Sequence, residues 1–435
     1  MMSAMAIFRH QYISRPIIPD DERDLRQELR VGNSESSLRS AALALIVALL
    51  VATLPQACSL SERAKDQGNV ARRMDQFVGS KDFSGAVLVA RDGHVLFQKA
   101  YGLANRENNV PNKLETKFRL GSVTKQFTAM GVMLLVERGK VRISDRVCVY
   151  IDNCPKAWSG ITLGHLLTHT SGIPNFTDFP DNDQFARLPT TPLAAIARFR
   201  DKPLDFPPGQ QFSYSNSGYL LLGYIIERAS GEKYEEFLRK NIYGPLGMLD
   251  SGYDHPWIIL KDRASGYARK DGQIVNATFK EMDTALGSGS MYSTVDDLLR
   301  WDQALYTEKL VSRKSLAQVF TPFQGPYPAV QPLLRGLYSR HRYGYGWLIT
   351  KWFGRDLIWH GGGISGFCAA ILRYPQDRTL VVVLENREPD FEGVTEPDLE
   401  GEPMTVANGL SAIAFGLPPD SSPVSATASD ATPKK

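Results

Sequence analysis

Ser122 and Lys125 stand three residues apart in Ser122-Val123-Thr124-Lys125, where a β-like run, FRLG, gives way to an apolar helical pattern. A serine hydroxyl is a poor nucleophile until a neighbour takes its proton. On a helix, positions i and i+3 share a face, so the Lys125 amine can point at the Ser122 hydroxyl. A solvated lysine, with a pKa of about 10.4, keeps its proton at neutral pH. Burial under an apolar helix, or another nearby cation, has to lower that value before the amine can act as a base. The helix N-terminus also favours negative charge developing at Ser122. Spacing alone is weak evidence, because about one or two such pairs arise by chance, and Ser230-Gly231-Glu232-Lys233 is a second. That second pair sits on a polar turn where no buried base can act.

Two further elements join the pair. Tyr214-Ser215-Asn216 is the chain's one Y-x-N. A tyrosine beside Lys125 can share the proton with it as one coupled system. Asn216 offers an amide that donates to a substrate carbonyl and accepts from an amine, or it simply caps a helix. The third element is His360-Gly361-Gly362, in WHGGG between two strand patterns. Glycines there let a substrate lie against a strand edge, and the Gly363 N–H with that of Ser122 can make an oxyanion hole. A tight glycine turn is the alternative. Other signatures are missing: no G-x-S-x-G and no P-loop occur. Gly361 to Gly366 spell G-x-G-x-x-G but lead into the β-like FCAAILRY instead of a helix, against a dinucleotide site. His165 and His169 have a zinc-compatible spacing, but Leu166 stands where a zincin needs glutamate, and a structural role is expected.

Strands at both ends of the domain must position these groups. AVLVARDGHVLFQKAYG (86–102) reads as a hairpin around Asp92-Gly93. TKQFTAMGVMLLVERG (124–139) is an apolar helix closed by Gly139, and YLLLGYIIERASG (219–231) and STVDDLLRWDQALY (293–306) are helices of a mostly helical middle. Four β-rich runs return within 345–386, with a turn at 375–377. The expected fold class is α/β: an antiparallel sheet built from N- and C-terminal strands, flanked by helices, with an inserted, mostly α-helical lobe.

The chain has 435 residues, 43% hydrophobic and 22% charged, enough for a large core and too apolar for disorder. A net charge of +3 without a basic stripe speaks against nucleic acid as a partner. Residues 41–54, AALALIVALLVATL, are shorter than the ~20 a spanning helix needs and suit a secretory h-region. Residues 31–58 are therefore expected to be a signal peptide or a membrane anchor. Translation is expected to start near Val31, leaving 1–30 outside the natural protein, since its many acids do not suit an n-region. Export to the bacterial periplasm, or attachment facing outward through 41–54 or Cys58, follows. Cys58 stands where a lipoprotein cysteine would, though Gln56 breaks the small-residue pattern. Residues 59–70 read as a linker, 71–416 as the folded domain, the acid-rich stretch 388–402 as a solvated loop and 417–435 as a disordered tail. Cys148 and Cys154 are a disulfide or two buried thiols, and Cys368 belongs to a core strand.

FRLGSVTKQFTA (118–129), ITLGHLLTHTSGIP (161–174), PPGQQFSYSNSGYLLLG (207–223), YGPLGM (243–248), YGYGW (343–347) and HGGGISGF (360–367) give a resemblance over residues 75–415. The chain resembles the serine β-lactamase-like, or penicillin-recognising, hydrolases. Its branch holds class C β-lactamases, D-Ala-D-Ala carboxypeptidases, D-aminopeptidases and related esterases. The resemblance implies an acyl-enzyme on Ser122, Lys125 and Tyr214 as the proton-transfer pair, Asn216 on the substrate amide, and His360 in place of the lysine of the K-T-G strand motif. Gly362 and Gly363 would line the substrate edge. It implies no cofactor and no metal. Neutral histidine is a weaker anion anchor and Gly361 lacks a hydroxyl, which favours a peptidase or esterase over a β-lactamase. A non-catalytic binder of cell-wall fragments is a third possibility, disfavoured by the intact Ser122, Lys125 and Tyr214. Specificity is expected from loops at 175–205 and 320–342, where Phe176, Phe179, Tyr327 and Tyr338 line a pocket or pack in the core.

Overall fold

In the computed structural model, residues 67–326, 342–388 and 401–421 are described. The expectations for 1–58, for Cys58, for 59–66, for Tyr327 and Tyr338, and for 389–400 and 422–435 lie outside them. Among the described residues no helix is long and apolar enough to cross a membrane.

Residues 67–79 are helical and form α1. The hairpin follows: β1 (Gly85–Arg91) and β2 (His94–Tyr101). Asp92 and Gly93 join them, both at positive φ (51° and 76°), as an Asp-Gly turn between twisted strands demands. The late runs form β3 (Arg342–Tyr343), β4 (Leu348–Trp352), β5 (Arg355–Ile364), β6 (Phe367–Tyr374) and β7 (Thr379–Glu385). One seven-stranded sheet holds them in the order β3-β4-β5-β6-β7-β1-β2, with every neighbouring pair antiparallel. Strand β1 thus lies between its own hairpin partner and the last strand, with Val87 opposite Val383.

Both faces of the central strands are covered, so β1, β6 and β7 read as continuous apolar runs without alternation. Alternate residues serve two cores. Ala86, Leu88, Ile371 and Val382 face the helical lobe. Val87, Val89, Leu372 and Val383 pack with Met74 and Val78 of α1 and with Met404 and Leu410 of α5 (Gly401–Ala414). Each buried Val or Leu side chain contributes roughly 1.5–3 kcal/mol. The lobe's central helices are α2 (Thr124–Glu137) and α3 (Asn216–Ser230), with α4 (Val295–Ala304) beside the sheet. Helix α2 is buried from Thr124 to Leu135, an interior helix that is mostly apolar beyond its first turn.

Three boundaries differ from the sequence reading. Residues 67–70, inside the stretch read as linker, belong to α1, where Val70 packs against the sheet's outer core. Helix α5 begins at Gly401, so the acid-rich stretch does not stay loop through 402. Residues 417–421 are placed as well: the Leu417 N–H donates to Ala412 O at 2.8 Å and its carbonyl accepts from Arg73. Cys148 and Cys154 form a disulfide, and Cys368 is buried in β6.

Candidate active site

The site lies where the helical lobe meets β5. Ser122 sits on a single 3-10 turn, Gly121–Val123, that runs directly into α2. Being at a helix start, its N–H has no partner one turn back. Lys125 follows one turn later and is fully buried. Its Nζ lies 3.0 Å from Ser122 Oγ, 2.8 Å from Asn216 Oδ1 and 2.8 Å from the Ser288 carbonyl oxygen. The Tyr214 hydroxyl donates to Ser122 Oγ at 2.8 Å.

This set of partners accommodates either protonation state: an ammonium would donate to all three oxygens, and an amine keeps two donations and a lone pair. Two of the three, an amide oxygen and a carbonyl, only accept hydrogen bonds. The Ser122 hydroxyl can also donate. A neutral Lys125 gives its two protons to the first two and turns its lone pair to the hydroxyl. Burial disfavours charge, holding the Lys125 amine well below the ordinary lysine value and the Tyr214 phenol above its own. Burial thus favours amine and phenol in the resting pair, which then forms a continuous line of donors from Tyr214 through Ser122 to Lys125.

Elements around the pair hold it in register. Tyr214 and Asn216 bracket the start of α3. The Ser215 N–H donates to His169 Nδ1 at 3.1 Å, and that of Ser213 to the His169 carbonyl at 2.8 Å. His169 is buried under Tyr214, ring centroids 4.4 Å apart. Its φ of 56° turns the chain there. His165 Nδ1 accepts from the Thr162 N–H in a capping box. Both histidines are therefore structural. Asn216 Oδ1 serves Lys125, and its Nδ2 donates to Thr177 Oγ1 at 3.1 Å.

Strand β5 carries the glycines as a strand, not as a turn. A Cβ on Gly362 would lie 2.0 Å from the Leu120 carbonyl oxygen and 2.9 Å from the Ser122 N, so only glycine lets β5 come this close to the nucleophile's turn. The Gly361–Gly366 string closes into the β5–β6 hairpin, with no helix behind it.

A cleft of about 250 Å³ opens beside Ser122, lined among others by Phe176, Thr177, Asn216, Lys280 and Gly363. Of the residues expected from the sequence, Ser122, Lys125, Tyr214, Asn216 and Gly363 converge here. His360 does not reach the cleft. It is buried behind Gly361, whose carbonyl its Nδ1–H contacts, and its Nε2 accepts from the Tyr343 hydroxyl at 2.9 Å. Burial, with Lys125 nearby, pushes its pKa down to about 3, so it is neutral and carries no charge for an anion. Gly362 acts by close approach, from behind the cleft. Phe176 lines the wall, and Phe179 packs on the lobe core. Three groups lacked any sequence signal: the Ser288 carbonyl, Thr177 and Lys280.

A family model described as Beta-lactamase matches residues 70–402. The chain belongs to the Beta-lactamase family. Penicillin-binding protein 4* of Bacillus subtilis is 31% identical over 330 residues, 71% of this chain and 69% of that protein. The octameric penicillin-binding protein homologue from Pyrococcus abyssi superposes with a TM-score of 0.66 at 29% identity, covering 82% of this chain and 78% of that one. The D-amino acid amidase from Ochrobactrum anthropi shares the fold, with a TM-score of 0.67 at 23% identity over 81% and 99% of the two chains. As a Beta-lactamase family member with this cluster, the protein is a serine hydrolase of the β-lactamase and penicillin-binding-protein superfamily.

Proposed function

We propose that the protein forms an acyl-enzyme on Ser122 and hydrolyses D-amino-acid peptides at their carboxyl end, or small esters. The observation that carries this is the 3.0 Å approach of Lys125 Nζ to Ser122 Oγ with the remaining Lys125 partners both acceptors. Ser122 Oγ attacks the substrate carbonyl carbon as its proton passes to Lys125. The N–H groups of Ser122 and Gly363 hold the resulting oxyanion. Collapse expels the leaving group, which takes the proton back from Lys125 by way of Tyr214. Water then attacks the ester, using the same amine, and Ser122 is restored. Asn216 Nδ2 has a second proton for the substrate's amide carbonyl.

His360 is neutral and enclosed. That supports the peptidase or esterase reading over efficient β-lactam turnover. Likeness to a penicillin-binding protein supports binding of penicillin at this site. The Cys148–Cys154 disulfide fits export through a leader in 31–58, since such bonds persist in oxidising compartments.

Intact-mass labelling with a fluorophosphonate, followed by peptide mapping, tests the reading. One adduct on Ser122 is expected, abolished in Ser122→Ala together with hydrolysis of p-nitrophenyl esters and D-Ala-D-Ala peptides. Full hydrolysis by Ser122→Ala, or an adduct elsewhere, refutes it.

A further inference from the structure

With His360 enclosed, the cleft needs another source of positive charge if it is to hold an anionic substrate. Lys280 is on its wall, together with Ser122. The Lys280 backbone is anchored beside the short helix Asn182–Phe185, because the next residue's N–H, that of Glu281, donates to Ala186 O at 2.7 Å. Among the described residues the Lys280 ammonium has no hydrogen-bond or ion-pair partner. Asp183 and Arg119 act on it only through space. Arg119 itself is committed to the buried Asp254, at 2.5 Å. The cleft lining holds no aspartate or glutamate among the described residues. Lys125, bonded to Ser122 but not on that lining, has its charge disfavoured by burial. Burial pushes the Lys280 amine below its ordinary value, against the opposing effect of the Asp183 carboxylate.

We propose that Lys280 binds a carboxylate of the substrate, selecting peptides that keep a free carboxyl group next to the scissile bond over neutral amides and over substrates whose nearest charge is an ammonium. This deepens the hydrolase reading above and rests on it. A lysine on a cleft whose lining holds no acid among the described residues, with Asp183 acting only through space, repels a free α-amine and attracts a free carboxyl, so the same residue excludes one substrate class and recruits the other.

The test separates binding from turnover. Affinities of acetyl-D-alanyl-D-alanine and of its C-terminal amide are measured by calorimetry on Ser122→Ala protein. The acid is expected to bind at least about tenfold tighter than the amide, the scale of one charge-assisted hydrogen bond. Adding Lys280→Gln should shrink that ratio to within about twofold, whereas Lys280→Arg should retain it. On protein with Lys280 intact, about 1 M salt should lower the ratio as well, which gives a reading should the Gln variant fold poorly. Equal affinities for acid and amide, undetectable binding of the acid, or a ratio that survives Lys280→Gln would overturn the assignment. Ester turnover by the unsubstituted enzyme reports on Ser122 alone, so failure of the hydrolase reading shows as lost turnover and failure of the carboxylate assignment as an unchanged acid-to-amide ratio with turnover intact.

Discussion

At the scale of single residues, the decisive feature is a lysine stripped of water in a setting that still meets all its hydrogen bonds. An ammonium would satisfy three acceptors here, yet the lack of solvent favours the amine. Only a group that can lose its proton can then activate Ser122. Lys125→Arg retains a cation that stays protonated at any working pH. It should lower the rate of Ser122 acylation by about 10²–10⁴-fold, the usual share of general-base catalysis. Tyr214→Phe removes a donor to Ser122 Oγ and should cost less, about 10–100-fold. Stopped-flow ester hydrolysis measures both. The acid limb of kcat/KM should belong to Lys125, with activity lost as pH falls through its depressed pKa. A Lys125→Arg enzyme that works normally would remove the amine from the mechanism.

At the scale of elements, catalysis depends on how closely one strand can approach one turn. β5 reaches the 3-10 turn of Ser122 because Gly362 has no side chain to strike the Leu120 carbonyl. The neighbouring Gly363 faces open space, where a Cβ meets nothing within 4 Å. Gly362→Ala should push the strand from the turn, lowering the melting temperature and reducing kcat/KM by about 10²-fold or more, as misplacement of about 1 Å does. Gly363→Ala should melt close to the parent protein. Differential scanning calorimetry of the two variants decides the matter: equal melting temperatures would mean that β5 does not need the close contact. Helix α3 has a comparable duty, since its first turn carries Asn216 and the residue two positions before carries Tyr214, with His169 supporting both from below.

For the molecule as a whole, two buried neutral histidines make stability depend on pH. His360 and His169 both lie below the ordinary histidine value because burial penalises the imidazolium. In the unfolded chain they take up protons near pH 6.5. Below that the unfolded state binds more protons than the folded one, so stability falls with acidity until the folded pKa, about 3 for His360, is reached. His360 alone should account for about 2 kcal/mol between pH 7 and pH 5. Urea unfolding of the parent and of His360→Gln at the two pH values should show a shallower loss in the variant. Parallel losses would indicate that His360 titrates normally. The global topology also matters here: β1 lies between β2 and β7, so the sheet closes only after the last strand has been made, and the lobe is docked on a surface assembled from both ends of the chain.

Local chemistry was legible in the residues themselves. Ser122 at the start of an apolar helix, Lys125 one turn on, the Asp92-Gly93 hairpin and the strand runs at both ends all follow from short-range rules of period, propensity and turn geometry, and so did the antiparallel sheet with its helical lobe. Family motifs added Tyr214, Asn216 and the HGGG strand. What the tertiary structure alone decided depends on contacts between distant segments. The Ser288 carbonyl that holds Lys125 is a backbone group 163 residues away, and no side chain announces it. The sequence shows that His360 takes the place of the lysine in the strand motif, where it is at best a weak anion anchor. The direction of its ring is not visible in sequence, and Tyr343 and the Gly361 carbonyl turn it inward. Lys280 looked like any loop lysine until Asn182–Phe185 and the Ser122 turn closed a cleft around it. Side-chain type and local spacing specify which chemistry is available. Packing specifies which of those groups face one another, which are dry, and so which carry charge.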